Sequence, residues 1–333
     1  MDRKKPIRYI LSLLLILLMV GVAEWTDEKE VLFPEMVALT IGLLLVDKRV
    51  WNVKRWQIVL LMSVGAIAGI SIVRYSPWPY LSNLCLAFAF AGFCLLVSRT
   101  TLIPLISACV LPVLLHTESI VYPVTVFAMS VLAVAGQKIL EKFNIRRQLP
   151  AIQHRKQGVK DIGRWVILSG FVGFISGIAL YMDYPYLILP PLMVTFAEFV
   201  HSKAGFRNRP TQVFLFLVTA ATLGTACQII GYYYFHLPET VVAFSIAVIL
   251  FLIFEWTGKY FAPAGALAFI PLLLPREGLI WLPLQAAVGA ALFIATALIV
   301  FQRCYQWKRA QLIYCLTPTL LRKHLNRQRQ RNT

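Results

Sequence analysis

Charged residues are scarce in this sequence of 333 residues. They make up 14% of it, against roughly 25% in an ordinary soluble domain. Hydrophobic residues make up 59%, and the mean hydropathy is +0.72. These values exclude a soluble globular domain, because the apolar runs are long enough to span a bilayer. The runs do not alternate apolar and polar residues, which excludes a β-barrel. The composition therefore predicts an all-α polytopic membrane protein.

Signatures of catalysis and of metal binding are also missing from the sequence. The six cysteines include no Cys-x-x-Cys pair, so neither a zinc site nor a redox pair is indicated. No Ser-His-Asp constellation, HExxH motif, Asp-rich metal motif or ATP-binding P-loop occurs. We therefore expect no catalytic residues, no metal ligands and no cofactor. The chain is not expected to be an enzyme.

The sequence does contain twelve apolar segments that could cross a membrane. They lie at about 9–25, 31–46, 56–73, 80–98, 101–116, 119–137, 165–182, 184–201, 211–231, 238–256, 261–275 and 279–302.

Basic residues are distributed unevenly between the loops that join these segments. If the amino terminus is cytoplasmic and every segment crosses, all of the 32 lysines and arginines except Lys29, Arg74 and Arg276 fall on the inner side. This bias follows the positive-inside rule and predicts a multi-pass protein of the cell membrane with both termini in the cytoplasm. If segments 101–116 and 261–275 turned back without crossing, the basic loop between the halves would fall on the wrong side.

The net charge of +17 is explained by this topology and does not indicate nucleic-acid binding. A basic linker at 141–163 and a basic tail at 303–333 are instead expected to contact anionic lipid headgroups. The sequence does not indicate an oligomeric state.

Two halves of the chain match each other at an offset of about 156 to 160 residues. Pro34 falls on Pro190, and Asn52 on Asn208. Pro104, Pro112 and Glu118 fall on Pro263, Pro271 and Glu277 with the same gaps. This match predicts two parallel six-segment repeats, at 1–140 and 164–302, related by an axis along the membrane normal.

The fifth segment of each repeat is short and interrupted by proline. The sequence reads TLIPLISACVLPVLLH at 101–116 and FAPAGALAFIPLLLP at 261–275, with Pro104, Pro112, Pro263, Gly265 and Pro271 as the interrupting residues. Matched, broken segments are a sequence indication of a transporter's binding site, because irregular backbone at membrane depth must be buried or line a cavity. The alternative is a pair of kinked helices that only pack together.

The second of these segments resembles the signature of the HPP family of integral membrane proteins, a His-Pro-Pro-Ala-Gly-Ala run. Pro263, Ala264, Gly265 and Ala266 fit its last four positions, whereas Phe261 and Ala262 stand where the family has His and Pro. The stretch 189–213, with Arg207 and Asn208, resembles the family's other marked region. The likeness covers about 184–300. Some members of the family act in nitrite transport, so the resemblance implies a small inorganic anion as the solute.

Ionisable residues in or beside the apolar segments are further candidates for a solute pathway. Glu198 and His201 share one helical face and could bind an ion or relay a proton, or could be groups solvated at the inner surface. Glu118 and Glu277, beside His116 and Arg276, could form an outer mouth, or could start the following helices.

Together these features predict a membrane transporter or channel for a small solute, and the family resemblance implies a small inorganic anion such as nitrite. A non-transporting scaffold or assembly factor is the main alternative. A lipid-acting membrane enzyme is the other, and it has no catalytic cluster in its favour.

Overall fold

The structure, a computed structural model, describes residues 4–148, 159–201 and 209–304. Regular secondary structure in these ranges is helical, as the composition predicts. Eight of the described helices are long and apolar enough to cross a bilayer. These helices are α1 (Lys5–Thr26), α3 (Arg55–Tyr75), α4 (Tyr80–Ser98), α6 (Val121–Lys142), α7 (Val159–Tyr181), α9 (Pro210–Cys227, continued by a π-helix Gln228–Tyr234), α10 (Glu239–Thr257) and α13 (Leu282–Cys304).

Four shorter helices are formed by the remaining predicted segments. They are α2 (Glu35–Thr40, continued by a π-helix Ile41–Leu45), α5 (Leu105–Leu115), α8 (Pro190–His201) and α11 (Ala262–Phe269, continued by a 3-10 turn Ile270–Leu273). One further turn of helix, α12 (Arg276–Leu279), precedes α13, and 3-10 turns at Lys29–Val31 and Pro185–Ile188 precede α2 and α8. The sequence predicts short fifth segments, and the structure shows that the second segment of each half is short as well.

The four short helices form the centre of the bundle. Every residue from 35 to 45, from 105 to 113, from 190 to 200 and from 262 to 272 is buried. The long helices are buried over only 33% to 44% of their most apolar windows. The long helices therefore surround the short ones and present one face outward, as helices in contact with lipid do.

Proline stands at the start of each short helix. Pro34 and Pro104 precede the first helical residues of α2 and α5, Pro190 begins α8, and Pro263 is the second residue of α11. Proline suits this position because its fixed φ matches the helix and its missing N–H has no partner to lose. The segments before these helices are 3-10 turns or extended chain, which explains why the helices are short.

The helices α1 and α10 run antiparallel and are joined at both ends. At one end, called here the Lys5 end, Lys5 pairs with Glu255 at 3.1 Å. At the other, called the Glu24 end, the Glu24 carboxylate accepts hydrogen bonds from the backbone N–H groups of Glu239 and Thr240 at 3.1 and 2.9 Å. These contacts define two opposite ends of the bundle.

The segment containing α2 extends from one end to the other. Its preceding turn follows α1 at the Glu24 end. Its last residues, Leu44 and Leu45, lie at the Lys5 end, where their carbonyl groups accept hydrogen bonds from the buried guanidinium of Arg8. The Arg8 side chain thus satisfies carbonyl groups in the last turn of the helix, which have no N–H donor within the helix.

The segment containing α5 runs in the opposite direction. The backbone N–H of Asn52 donates to Thr101 before α5. The guanidinium of Arg74, at the far end of α3, donates to the Glu118 carbonyl after α5 at 2.6 Å. A short helix with extended flanks therefore covers the same height as a long helix.

Each main contact between helices of different halves has a counterpart, in which the corresponding helices of the opposite halves pack together. The pair α1–α10 has its counterpart in α7–α4, and α2–α11 in α8–α5. The helix α3 packs on α5 and α6, while α9 packs on α11 and α13. Each half therefore contributes two of the four central helices and is closed by contacts from the other half.

Candidate functional site

A small cavity lies at the centre of the bundle, where the first turns of the four short helices meet. It is lined by Glu35 and Ala38 of α2, Pro104 and Ser107 of α5, Pro191 and Val194 of α8, and Ala262, Pro263 and Ala266 of α11. Its volume is about 10 Å³, roughly the space of one water molecule. All of the lining residues are buried, so the cavity has little contact with bulk solvent in this conformation.

Glu35 and Ser107 are the polar side chains of this lining. Glu35 is 1% exposed. The Ser107 hydroxyl donates a hydrogen bond to Glu35 Oε1, while Glu35 Oε2 has no hydrogen-bond partner among the described residues. No ion pair joins Glu35 to a cationic side chain of the described ranges. A carboxyl group in such surroundings is costly and is a strong indication of a functional site.

Three helices direct their amino-terminal ends at the cavity. The helices α5, α8 and α11 contain 11, 12 and 8 residues and begin at it. Each amino terminus carries a partial positive charge, which favours a negative charge nearby. The cavity thus combines three positive helix ends with one carboxyl group that has a free oxygen.

The predicted residues Pro104 and Pro263 line this cavity, whereas Pro112 and Pro271 do not. Pro112 lies inside α5 and leaves the Ala108 carbonyl without its usual helical donor. The buried Tyr122 hydroxyl of α6 donates to that carbonyl at 3.2 Å. In α11, Pro271 frees the Leu267 carbonyl, which accepts from a backbone N–H at the helix end. Both freed carbonyls are satisfied inside the protein, as the bilayer requires.

Gly265 lies where α11 approaches α2 most closely. A Cβ atom on it would be 2.4 Å from Ile41 Cδ1 and 3.2 Å from Val37 Cγ1. The glycine thus permits the close contact of two of the central helices and is not itself part of the cavity lining.

Glu198 and His201 lie in the last turns of α8, away from the cavity. Glu198 is buried and neighbours Trp51, whose ring covers Gly42. The His201 ring stacks on Trp165 with centroids 4.6 Å apart. The two side chains therefore contact different aromatic residues. No group of three potential metal-ligating side chains occurs in the described parts of the chain.

Glu118, Arg276 and Glu277 lie near the Glu24 end. Glu118 and Glu277 are exposed, and the Arg276 guanidinium lies 5.4 Å from the centre of the Tyr233 ring. None of the three lines the central cavity. Their proposed role at an outer mouth stays a prediction.

A larger, basic cavity opens at the Lys5 end, below the centre. Its volume is about 320 Å³, and Arg49, Lys54, Arg55, Trp51 and Gln137 are among its lining residues. Burial is the main factor that lowers the pKa of Arg49, and the nearby Arg55 lowers it further. The loop from Arg49 to Arg55 lines this cavity, and its basic residues give the cavity a positive potential.

Residues 149–158 of the basic linker and residues 305–333 of the basic tail lie outside the described residues. Arg207 and Asn208 are outside them as well.

Glu35 and Ser107 are not among the site residues predicted from the sequence. One available signal is the position of Glu35 directly after Pro34, a proline that recurs in the second half as Pro190.

No protein-family model matches this chain, and no curated protein or solved structure matches it either.

Proposed function

We propose that this chain is a membrane transporter that moves a small inorganic anion through the central cavity. The observation that carries this proposal is the meeting of four buried, proline-led helices around a cavity that contains a carboxyl group without a counter-charge. Short helices that begin inside a membrane protein and direct their positive ends at one point are typical of transporter binding sites. A scaffold has no need of such an arrangement.

The proposed transporter is a carrier that alternates between open forms. The lining residues are buried, so an ion enters or leaves only when helices move apart. The basic cavity at the Lys5 end would attract anions toward the centre when that side opens.

Twelve crossings in two parallel repeats are part of the proposal. The contact pairs that exchange the halves support the repeats. The contacts of Arg8 with the end of α2, and of Arg74 with the chain after α5, support full crossings by short segments. The basic residues at the Lys5 end favour a cytoplasmic location for it. We also propose, from the resemblance at residues 263–266, that the chain is a member of the HPP family. The proposal includes no enzymatic activity.

Labelling of single cysteines from outside the cell tests the crossings. In a cysteine-free background, Glu118→Cys should react with a membrane-impermeant maleimide, and Lys48→Cys should react only after the membrane is permeabilised. Both positions are exposed, so accessibility to water is matched. Labelling of Lys48→Cys in intact cells would mean that segment 31–46 turns back, and the twelve-crossing topology would be wrong.

Flux through purified protein in liposomes tests the transport proposal. Wild-type protein should take up chloride or nitrite faster than empty liposomes. Ala266→Leu should reduce this uptake by about tenfold or more, because the added side-chain atoms fill a space of one water molecule. The control is Ala128→Leu, an equal change at an exposed position of α6. Well-inserted wild-type protein that carries no small anion would refute the transport proposal.

A further inference from the structure

We propose that Glu35 is the proton-carrying group of the central cavity, and that the cavity takes a small monovalent anion when Glu35 is protonated. One proton and one anion would then occupy the site together. This inference rests on the proposed function and adds to it the coupling ion and the charge class of the substrate.

The free oxygen of Glu35 is the first reason. Glu35 Oε1 accepts a hydrogen bond from Ser107, and Oε2 is buried without a partner beside the cavity. An unpaired oxygen at this depth can be satisfied by taking up a proton or by facing a bound group. Because the cavity adjoins it, both events happen at the same place.

Among the residues that the structure describes, no ion pair with a cationic side chain holds Glu35 permanently ionised. On α5, Ser107 donates to it, and the buried Cys109 lies two residues further along the helix. On α6, the Tyr122 hydroxyl is engaged with the Ala108 carbonyl.

The other neighbours of α2 complete the list of facing groups. The residues that α8 and α11 contribute to the cavity are apolar, and the buried Glu198 lies one turn beyond Val194 along α8. The charged groups of α1, Lys5, Arg8 and Glu24, are engaged at the two ends of the bundle. The charge of Glu35 is thus decided by what occupies the cavity.

The chemistry of the lining selects an anion. With Glu35 protonated, its O–H becomes a donor into the cavity and joins the positive ends of α5, α8 and α11. With Glu35 ionised, the carboxylate itself occupies this positive potential, and a second negative charge beside it is strongly unfavourable. Anion binding and proton binding therefore favour each other, and by linkage each raises the affinity for the other equally.

The two halves of the chain differ at this point. At the offset that pairs Pro34 with Pro190, Glu35 falls on Pro191, and at the offset that pairs Pro104 with Pro263, Ser107 falls on Ala266. All four residues line the same cavity. The site thus contains one acid, which fixes the stoichiometry at one proton for each anion.

Binding can be measured without any transport. The full-length protein in detergent is heated with and without chloride or nitrite, at acidic and at alkaline pH. A bound anion stabilises the folded state according to its affinity. In the wild type, the apparent affinity should fall by up to about tenfold for each unit of pH increase above the point where Glu35 ionises. In Glu35→Gln, whose neutral amide stands in for the protonated carboxyl, the anion should stabilise equally at both pH values.

Flux is measured on the same variants. Wild-type liposomes should accumulate the anion when a proton gradient is applied, and the internal pH should change with it. Glu35→Gln should exchange anions but lose both responses. The matched control is Glu239→Gln, which alters another buried carboxyl group at the Glu24 end of α10 and should keep both responses.

The outcomes separate the two proposals. Anion flux that ignores the proton gradient in the wild type, or that keeps its coupling in Glu35→Gln, overturns the role of Glu35 and leaves transport intact. Anion binding linked to pH through Glu35, without any flux, supports the site and refutes transport. Absence of anion binding at every pH overturns the inference. If Glu35→Gln does not fold, Ser107→Ala replaces it, and an unchanged pH midpoint of anion binding would then contradict the inference.

Discussion

Replacement of Gly224 by alanine is expected to destabilise the helix bundle by about 3 kcal/mol, the upper end of the usual cost of overpacking. Gly224 lies in α9, where a Cβ atom would be 2.1 Å from the carbonyl oxygen of Ala268 and 3.0 Å from Pro271 Cγ. The first of these atoms belongs to the backbone of a buried helix, which cannot move aside as a flexible side chain does. Thermal or denaturant unfolding of the purified protein in detergent measures the loss.

The control for this substitution is Gly170→Ala in α7. No atom of the described residues lies within 4 Å of a Cβ built there, so alanine should stabilise the protein by up to about 1 kcal/mol through its higher helix propensity. Gly69→Ala in α3 should repeat the destabilisation, because its Cβ would be 2.4 Å from the Cys109 carbonyl oxygen and 3.1 Å from Pro112 Cγ. A Gly224→Ala protein as stable as the wild type would show that α9 and α11 are further apart than described.

The second large effect is expected from Glu141→Gln, at the Lys5 end. The Glu141 carboxylate pairs with Arg55 and, at 3.2 Å, with Arg146, and it accepts from Gln137 Nε2 at 2.8 Å. The side chain of Arg146 is 1% exposed. Burial lowers the pKa of Arg146, and Glu141 opposes that shift. Without the carboxylate, a buried guanidinium loses its counter-charge, which costs about 3 to 5 kcal/mol.

Two further variants distinguish a buried charge from a general disturbance. Glu255→Gln removes a carboxylate that pairs with Lys5, and the two side chains are 41% and 34% exposed, so it should cost about 1 kcal/mol or less. Arg146→Met combined with Glu141→Gln should recover part of the loss, since no unpaired buried charge remains. A Glu141→Gln protein within error of the wild type would mean that water reaches Arg146.

Hydropathy predicts the helical, membrane-embedded character of the chain and the places of its segments. It does not reveal that segments 31–46 and 184–201 contain only short helices. The hydropathy of a segment depends on its composition and is the same whether the chain is helical or extended. The recurrence of Pro34 as Pro190 is the sequence feature that marks both short helices. Pro104 and Pro263 also recur at matched positions in the two halves, and they too mark short helices.

The central cavity could not be predicted from the sequence. Glu35 has no acidic counterpart in the second half. The match between the two halves therefore does not mark it as a candidate. Four helix starts far apart in the chain meet only through tertiary packing. Glu198 and His201 share a helical face, as their spacing indicates, but aromatic neighbours from other segments, Trp51 and Trp165, separate their surroundings.

The exchanged contacts of α1 with α10 and of α4 with α7 bear on how the chain is made. When only the first six segments have been synthesised, α1 and α4 lack the helices α10 and α7 on which they pack. Glu35 then borders a cavity for which only α2 and α5, two of the four lining helices, are present. Insertion of this chain into a bilayer is therefore finished only after its later segments arrive. Until then the nascent protein must shelter an acidic side chain from hydrocarbon, a task for the insertion machinery or for water that enters the unfinished bundle.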